Sequence, residues 1–131
     1  MKPGMQQKHL FEYAVIRVVP RVEREEFLNI GVILYCAKLK FLQAKYLLDE
    51  PRLTAFSPTL NVEEITEHVC AFEHICLADK DSGPIGKLDM ASRFRWLTAT
   101  RSTVLQTSKV HPGFCEEPNA TLDSLFGQLV S

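Results

Sequence analysis

The chain has 131 residues, the length of one ordinary domain, and 46% apolar residues against 24% charged ones exclude disorder over most of it. Fifteen basic residues oppose sixteen acidic ones, and the resulting net charge of -1 excludes a generally basic nucleic-acid binder. The polar first residues contain no secretory signal, and no apolar stretch approaches the roughly 20 residues that cross a bilayer. We therefore expect a cytoplasmic protein without a membrane span.

The N-terminal half predicts three strands of an antiparallel meander, after a flexible tail at residues 1–8. Residues 10–19, 27–36 and 41–48 are rich in the β-branched and aromatic types that favour strands. Their connections are short, which favours antiparallel neighbours. In the second strand the even positions 28–36 are all apolar, so we expect them to share one face of the sheet.

The C-terminal half predicts helices and short extended segments. The predicted elements are a short helix after Asp49, helices at 62–78, 88–98 and 120–129, a strand at 103–107 and a turn at 111–113. Asn61 begins a capping-box pattern, and Asp89 is spaced to pair with Arg93. The sequence thus predicts a single α+β domain over 1–131, with a three- to four-stranded, mostly antiparallel sheet covered on one face by three or more helices.

Charge is distributed unevenly along the chain although its total is near zero. Residues 49–81 hold two basic and eight acidic residues, whereas residues 90–115 hold four basic residues and no acidic one. The two segments either neutralise each other within the fold, or the basic segment forms an anion site. Arginine favours the second interpretation, because its guanidinium binds phosphate and carboxylate groups through two parallel hydrogen bonds.

The first candidate site is the basic segment, where Arg93, Arg95 and Arg101 alternate with Trp96. Arginines interleaved with an aromatic residue suit phosphate contact combined with base stacking. The alternative is an amphipathic helix whose arginines extend their charged ends into solvent. This alternative explains Phe94, which has the spacing of a buried row, but it does not explain Trp96.

The second candidate pairs Arg17 with Asn29 across the first hairpin. A connection over 20–26 sets these two residues opposite each other on the less apolar face of the sheet. Gly31 beside them lets a ligand or another backbone approach closely. The alternative is that Arg17 pairs with a glutamate of the 23–26 run, because a buried arginine is normally paired.

His111 is the third candidate, since a histidine near arginines can act as general acid or base in phosphoryl chemistry. A turn histidine is usually a surface residue, and residues 90–115 hold no carboxylate to orient it.

Metal ligation is the remaining possibility, and the sequence argues against it. Glu63, Glu67, Cys70 and His74 share one face of the 62–78 helix, but their spacing matches no metal signature. The four cysteines form no Cys-x-x-Cys pair, and small buried apolar positions suit them better. We therefore predict no metal and no cofactor.

Two regions of the sequence resemble a known family. The first contains YAVIRVVP at 13–20 and EFLNIGVIL at 26–34, and the second contains RFRWLT at 93–98 and RST at 101–103. Together they resemble an uncharacterised bacterial family of small domains of unknown function, over most of the chain. The resemblance implies no reaction, substrate or cofactor. It implies a partner role toward a kinase-like protein related to the HipA toxin.

Three functional hypotheses follow from these observations. The first is a non-catalytic binding or accessory module that holds a phosphate-bearing ligand or an acidic protein surface through Arg17, Arg93, Arg95 and Arg101. Nucleic acid is one of the anionic ligands that this hypothesis allows. The second is a phosphate-directed enzyme of nuclease or phosphotransferase type that uses His111. The third is a structural subunit of a homo-oligomer.

Overall fold

The computed structural model describes residues 7–99, 101 and 103–131, so most of the predicted tail at 1–8 lies outside the described residues. The elements in chain order are β1 (His9–Val18), β2 (Leu28–Cys36), β3 (Phe41–Tyr46), α1 (Glu50–Phe56), α2 (Val62–Leu77), α3 (Met90–Leu97), β4 (Leu105–Thr107), β5 (His111–Cys115) and α4 (Pro118–Leu129). Short 3-10 turns lie at Val22–Arg24 and Ile85–Lys87. The predicted α+β class is confirmed, and β1 to β3 form the predicted meander.

The antiparallel sheet has five strands, in the order β3-β2-β1-β4, with β5 also paired to β1. The outer edge of β1 is shared, because β5 pairs with its first half and β4 with its last residues. The prediction of a turn at 111–113 is wrong, since these residues begin β5 and His111 pairs with Tyr13. Pro112 is compatible with this strand because an edge strand leaves some backbone donors unused.

Helices cover both faces of the sheet rather than the one face that the sequence analysis predicted. The first face, which we call the three-helix face, packs Ile16 and Ile33 against residues of α1, α2 and α3 such as Leu53, Val69 and Phe94. The second, the α4 face, packs residues including Phe11, Val32 and Leu34 against Leu122 and Val130. Apolar residues can occupy both faces of β1 because helices cover both faces of the sheet.

A β-bulge divides the apolar residues of β2 between the two faces. Ile16 pairs with Gly31 but Arg17 pairs with Asn29, so that Ile30 is an extra residue in the ladder. The prediction that positions 28–36 share one face is therefore wrong, because Ile30 packs on the three-helix face and Val32 on the α4 face. The predicted pairing of Arg17 with Asn29 is confirmed.

Side-chain caps fix where the helices begin. The Asn61 side chain accepts a hydrogen bond from the Glu64 backbone at 3.2 Å, as the capping-box pattern predicts. Asp89 caps α3 by accepting from the Ser92 backbone at 2.7 Å, and its predicted pairing with Arg93 is wrong. Of the helices in the described part of the chain, none has the length and apolar character needed to cross a membrane.

Candidate functional site

The residues predicted to bind a ligand fall into three separate places. Arg93 lies inside the molecule between α2 and α3. On the side of the three-helix face lie Arg95, Trp96 and Arg101. The strands β1, β2 and β5 carry the remaining three, Arg17, Asn29 and His111. The structure therefore separates the arginines instead of bringing them to one cavity.

Arg93 stabilises the end of α2 and does not face a cavity. Its side chain is only 7% exposed. Its Nη1 donates to the backbone carbonyls of Ile75 at 2.9 Å and Cys76 at 2.7 Å, and its Nε donates to the carbonyl of Leu88 at 3.1 Å. The last carbonyls of a helix lack partners within the helix, and a cation there is favoured by the helix dipole. This arginine is a structural part of the fold.

Arg95 lies two residues further along α3 and is exposed to solvent. Its Nη1 lies 3.5 Å from a carboxylate oxygen of Glu12 on β1, and 63% of its side chain is exposed. A long, exposed ion pair of this kind contributes little to stability. Arg95 is therefore a surface residue of the basic segment that is already paired, and it lies outside the groove described next.

A groove of about 260 Å³ lies between α2, the end of α3 and β4, and we call it the Trp96 groove. Residues along it include His68, Phe72, Trp96, Arg101, Leu105 and Thr107. Trp96 is 41% exposed because it projects from α3 away from the buried row of Phe94 and Leu97. Apolar walls with a few polar groups are typical of sites that bind small molecules.

Arg101 supplies the positive charge of the Trp96 groove. Its guanidinium carbon lies 4.0 Å from the centre of the Trp96 ring, and its Nη2 donates to the Trp96 carbonyl. No carboxylate of the described residues forms an ion pair with Arg101. Partial burial lowers the pKa of Arg101, although the group stays charged at neutral pH. Trp96 thus contacts one arginine of the basic segment, Arg101, through its ring.

The α2 side of the Trp96 groove was missing from the sequence prediction. His68 lines the groove, and its Nε2 lies 3.7 Å from the Glu64 carboxylate. Phe72 and Ile75 face the same space from the buried stripe of α2. The helical spacing of this stripe signals a buried face, but it does not show that part of the face borders an open groove.

Arg17 occupies a second environment, on the α4 face of the sheet. The alternative that it pairs with a glutamate of the 23–26 run is not what the structure shows, because Glu23 pairs with Arg21 and Glu26 with Arg24. The Arg17 guanidinium instead stacks on the Phe27 ring, 3.8 Å from its centre. Burial of the guanidinium lowers its pKa.

Asn29 is held by the end of α4. Its Nδ2 donates to the Leu129 carbonyl at 3.1 Å, while its Oδ1 and the Nε of Arg17 are buried and have no hydrogen-bond partner among the described residues. The neighbouring Gly31 accommodates a backbone and not a ligand, because an added Cβ would lie 2.7 Å from the Lys45 carbonyl and 2.8 Å from the Tyr46 Cβ.

His111 is an exposed residue of β5 whose ring lies 5.3 Å from the ring of Tyr13. Because Tyr13 belongs to the strand positions that pack on the α4 face, His111 lies on the opposite side of the sheet from the Trp96 groove. The structure does not bring His111 together with Trp96 or Arg101.

Comparison with known proteins gives one assignment. A family model described as "Protein of unknown function (DUF3037)" matches residues 13–130. The chain belongs to this family. The predicted membership in a family of unknown function is confirmed, and no curated protein and no solved structure matches the chain. The HipA-related partner, binding to nucleic acid, the homo-oligomer and the cytoplasmic location stay predictions.

The segment shared with the DUF3037 family includes both arginine environments. Arg17 lies near its beginning, and Trp96 and Arg101 lie in its second half. The family description states no reaction, so the chemistry has to be argued from the side chains.

One group of residues near the end of α2 offers ligand atoms for a metal ion. His74 Nδ1 lies 2.6 Å from Asp79, and the ligand atoms of these two residues and Asp81 lie within 4.8 Å of one another. The hydrogen bond with Asp79 raises the pKa of His74 and lowers that of Asp79. The pair thus has an electrostatic role in the loop after α2.

Cys70 is exposed, contrary to the expectation of burial, whereas burial raises the pKa of Cys76 to about 12.

Proposed function

We propose that this DUF3037 domain is a non-catalytic binding module for a small amphipathic anion, with an apolar body and one carboxylate or phosphate group. The ligand occupies the Trp96 groove. The observation that carries the proposal is Arg101, a guanidinium stacked on an exposed tryptophan at an apolar groove, with no carboxylate of the described residues paired to it.

The two parts of the groove favour two parts of one ligand. Phe72, Leu97 and Leu105 present apolar surface, which gains free energy when an apolar body displaces water. Arg101 favours an anionic end, because a hydrogen bond to a charged group is stronger than a neutral one and strengthens further beside apolar walls. A volume of about 260 Å³ is near the lower end of small-molecule sites, so the apolar body is short.

Binding is favoured over catalysis by the polar groups at the groove. Among the described residues that line it, His68 is the one histidine. Its Nε2 lies 3.7 Å from the Glu64 carboxylate, too far for the hydrogen bond that orients a general base. The acid or base of the enzymatic hypothesis, His111, lies on the other side of the sheet. The groove therefore offers recognition, and no described residue that lines it forms a hydrogen-bonded catalytic pair with His68.

Trp96 is the only tryptophan of the chain, so its fluorescence reports directly on the groove. We expect octanoate and octyl phosphate to shift its emission saturably. Octanol has the same apolar body without the charge, and we expect it to bind about tenfold more weakly, as the loss of one charged hydrogen bond predicts.

Arg101→Gln and Arg95→Gln form a matched pair of variants, since each removes one positive charge from the same segment. We expect Arg101→Gln to weaken octanoate to the affinity of octanol and Arg95→Gln to leave the affinity unchanged, because Arg95 lies outside the groove. Equal effects of the two variants, or an emission that none of the probes changes, would contradict the proposal.

A further inference from the structure

Arg17 has the features of an anion-binding residue, and no carboxylate of the described residues forms an ion pair with it. Its guanidinium is stacked on Phe27, and its Nε is buried without a hydrogen-bond partner. Desolvation by burial lowers the pKa of Arg17, and no carboxylate contributes an opposing increase. A partly desolvated cation without a counter-ion is unfavourable in a folded protein, so a bound anion would be stabilised there.

The glutamates of the turn after β1 pair with other arginines or form no ion pair with Arg17. Glu23 and Glu26 form ion pairs with Arg21 and Arg24 at 2.7 Å and 2.6 Å. Glu25 lines the same cavity as Arg17 but forms no ion pair with it. Glu23 and Glu26 are thus held in local pairs, and no carboxylate of the described residues forms an ion pair with Arg17.

A cavity of about 320 Å³ opens beside this guanidinium, with apolar walls from Val19, Val22 and Phe27. Gln106 adds a polar group, because it pairs with Arg17 across the β1–β4 ladder. One N–H of its amide is used, as Nε2 donates to the Thr103 carbonyl at 2.8 Å, and the amide has a second N–H to donate. Donors from two strands suit a tetrahedral oxyanion, which accepts hydrogen bonds from several directions.

We propose that Arg17, Phe27 and Gln106 form a phosphate-binding site that is separate from the Trp96 groove and serves a small phosphate-bearing ligand. Gln106 borders both cavities, whereas Arg17 lines this one and not the Trp96 groove, and Arg101 lines the Trp96 groove and not this one. The proposal is therefore independent of the proposed function.

Glu25 gives the proposal a distinctive consequence. Its backbone is left-handed, with φ at 57°, and the residue lines the cavity beside Arg17. A carboxylate at that position opposes a bound phosphate. Replacing it by the neutral amide in Glu25→Gln removes this repulsion, and the expected gain in affinity is about two- to fivefold, the size of an exposed charge–charge interaction.

The test is a titration of the full chain with inorganic phosphate, followed through the arginine Nε–H signals in ¹H–¹⁵N spectra. The Arg17 signal is identified by its loss in Arg17→Lys, and sodium chloride at equal ionic strength serves as the reference for general screening. We expect the Arg17 signal to move saturably with phosphate and not with chloride, with a Kd on the order of 1 mM.

Three variants decide the interpretation. We expect Arg101→Gln to leave the phosphate titration unchanged. Lys109→Gln removes an exposed charge that does not line the cavity, and we expect it to leave the titration nearly unchanged, whereas Glu25→Gln should tighten binding. An Arg17 signal without saturable movement would overturn the proposal. A Glu25→Gln variant that binds no more tightly, or a Lys109→Gln variant that binds much more weakly, would also overturn it, because the phosphate would then respond to net charge alone.

Discussion

Replacing Arg93 by methionine tests whether this arginine belongs to the fold or to a binding site. Methionine keeps an unbranched apolar stem of similar length but removes the guanidinium. Three hydrogen bonds disappear, to the carbonyls of Ile75, Cys76 and Leu88. The first two carbonyls belong to the last turn of α2, and Arg93 itself is buried, so water does not readily replace the lost donors.

The expected loss of stability follows from these contacts. A hydrogen bond to a charged group contributes about 1.5–3 kcal/mol, and leaving a buried carbonyl without a donor carries its full desolvation cost. The two bonds to Ile75 and Cys76, at 2.9 Å and 2.7 Å, share one nitrogen and are not additive. We therefore expect a decrease of about 3 kcal/mol in the free energy of unfolding, which corresponds to about 10 °C in Tm for a chain of this length.

Urea denaturation measures this decrease, with the slope of the transition checked for constancy. Arg95→Met is the matched control, because it makes the same chemical change two residues away at an exposed position. We expect it to cost less than about 1 kcal/mol, the usual limit for an exposed ion pair such as Arg95–Glu12. If Arg93→Met costs no more than Arg95→Met, the reasoning about the end of α2 is refuted.

Two further predictions concern His74 and Gly31. The pKa of His74 is raised above 6.5 and that of Asp79 is lowered below 3.8, so their pairing stabilises the fold fully between these values. The stabilisation is lost as pH rises through the raised pKa of His74. The Tm difference between the wild type and His74→Gln should therefore be largest near about pH 5 and decrease as pH rises through the raised pKa of His74; a difference that does not change with pH would contradict this prediction. Gly31→Ala should cost about 1–3 kcal/mol in urea denaturation, because its Cβ meets the backbone of β3. At Gly127 an added Cβ meets no atom within 4 Å, so Gly127→Ala should instead stabilise α4 by up to about 1 kcal/mol. A loss of stability in both variants would show that the effect of Gly31→Ala does not come from packing against β3.

Local patterns predicted the elements that depend on neighbours in sequence. Alternating apolar residues and short connections indicated the meander, and the length of the first connection set Arg17 opposite Asn29. The bulge at Ile30 could not be predicted in this way, because β2 is apolar at nearly every position and an extra residue leaves no break in its pattern. The apolar residues on both sides of β1, including Phe11 and Val15, did contain a signal for the second covered face.

The strand at His111–Cys115 was missed for a different reason. Proline and glycine next to each other are typical of a turn, and local sequence contains no information about the unoccupied outer edge of β1. This edge stabilises β5 through pairing with residues about a hundred positions away. Long-range pairing thus overrode the local preference and moved His111 away from the basic segment and onto the sheet.

The three arginines of the basic segment show why charge counting identifies a candidate region but not the residues of a site. Arg93 and Arg95 are two positions apart on one helix, so they project in very different directions. One direction meets the free carbonyls of another helix end, and the other meets solvent and Glu12. Arg101 follows the helix and lies back over Trp96. Arg101 stays available to a ligand because one backbone carbonyl and no carboxylate of the described residues accepts from it, and because apolar surface lies around it. Part of that surface comes from Phe72 on α2, a residue distant in sequence.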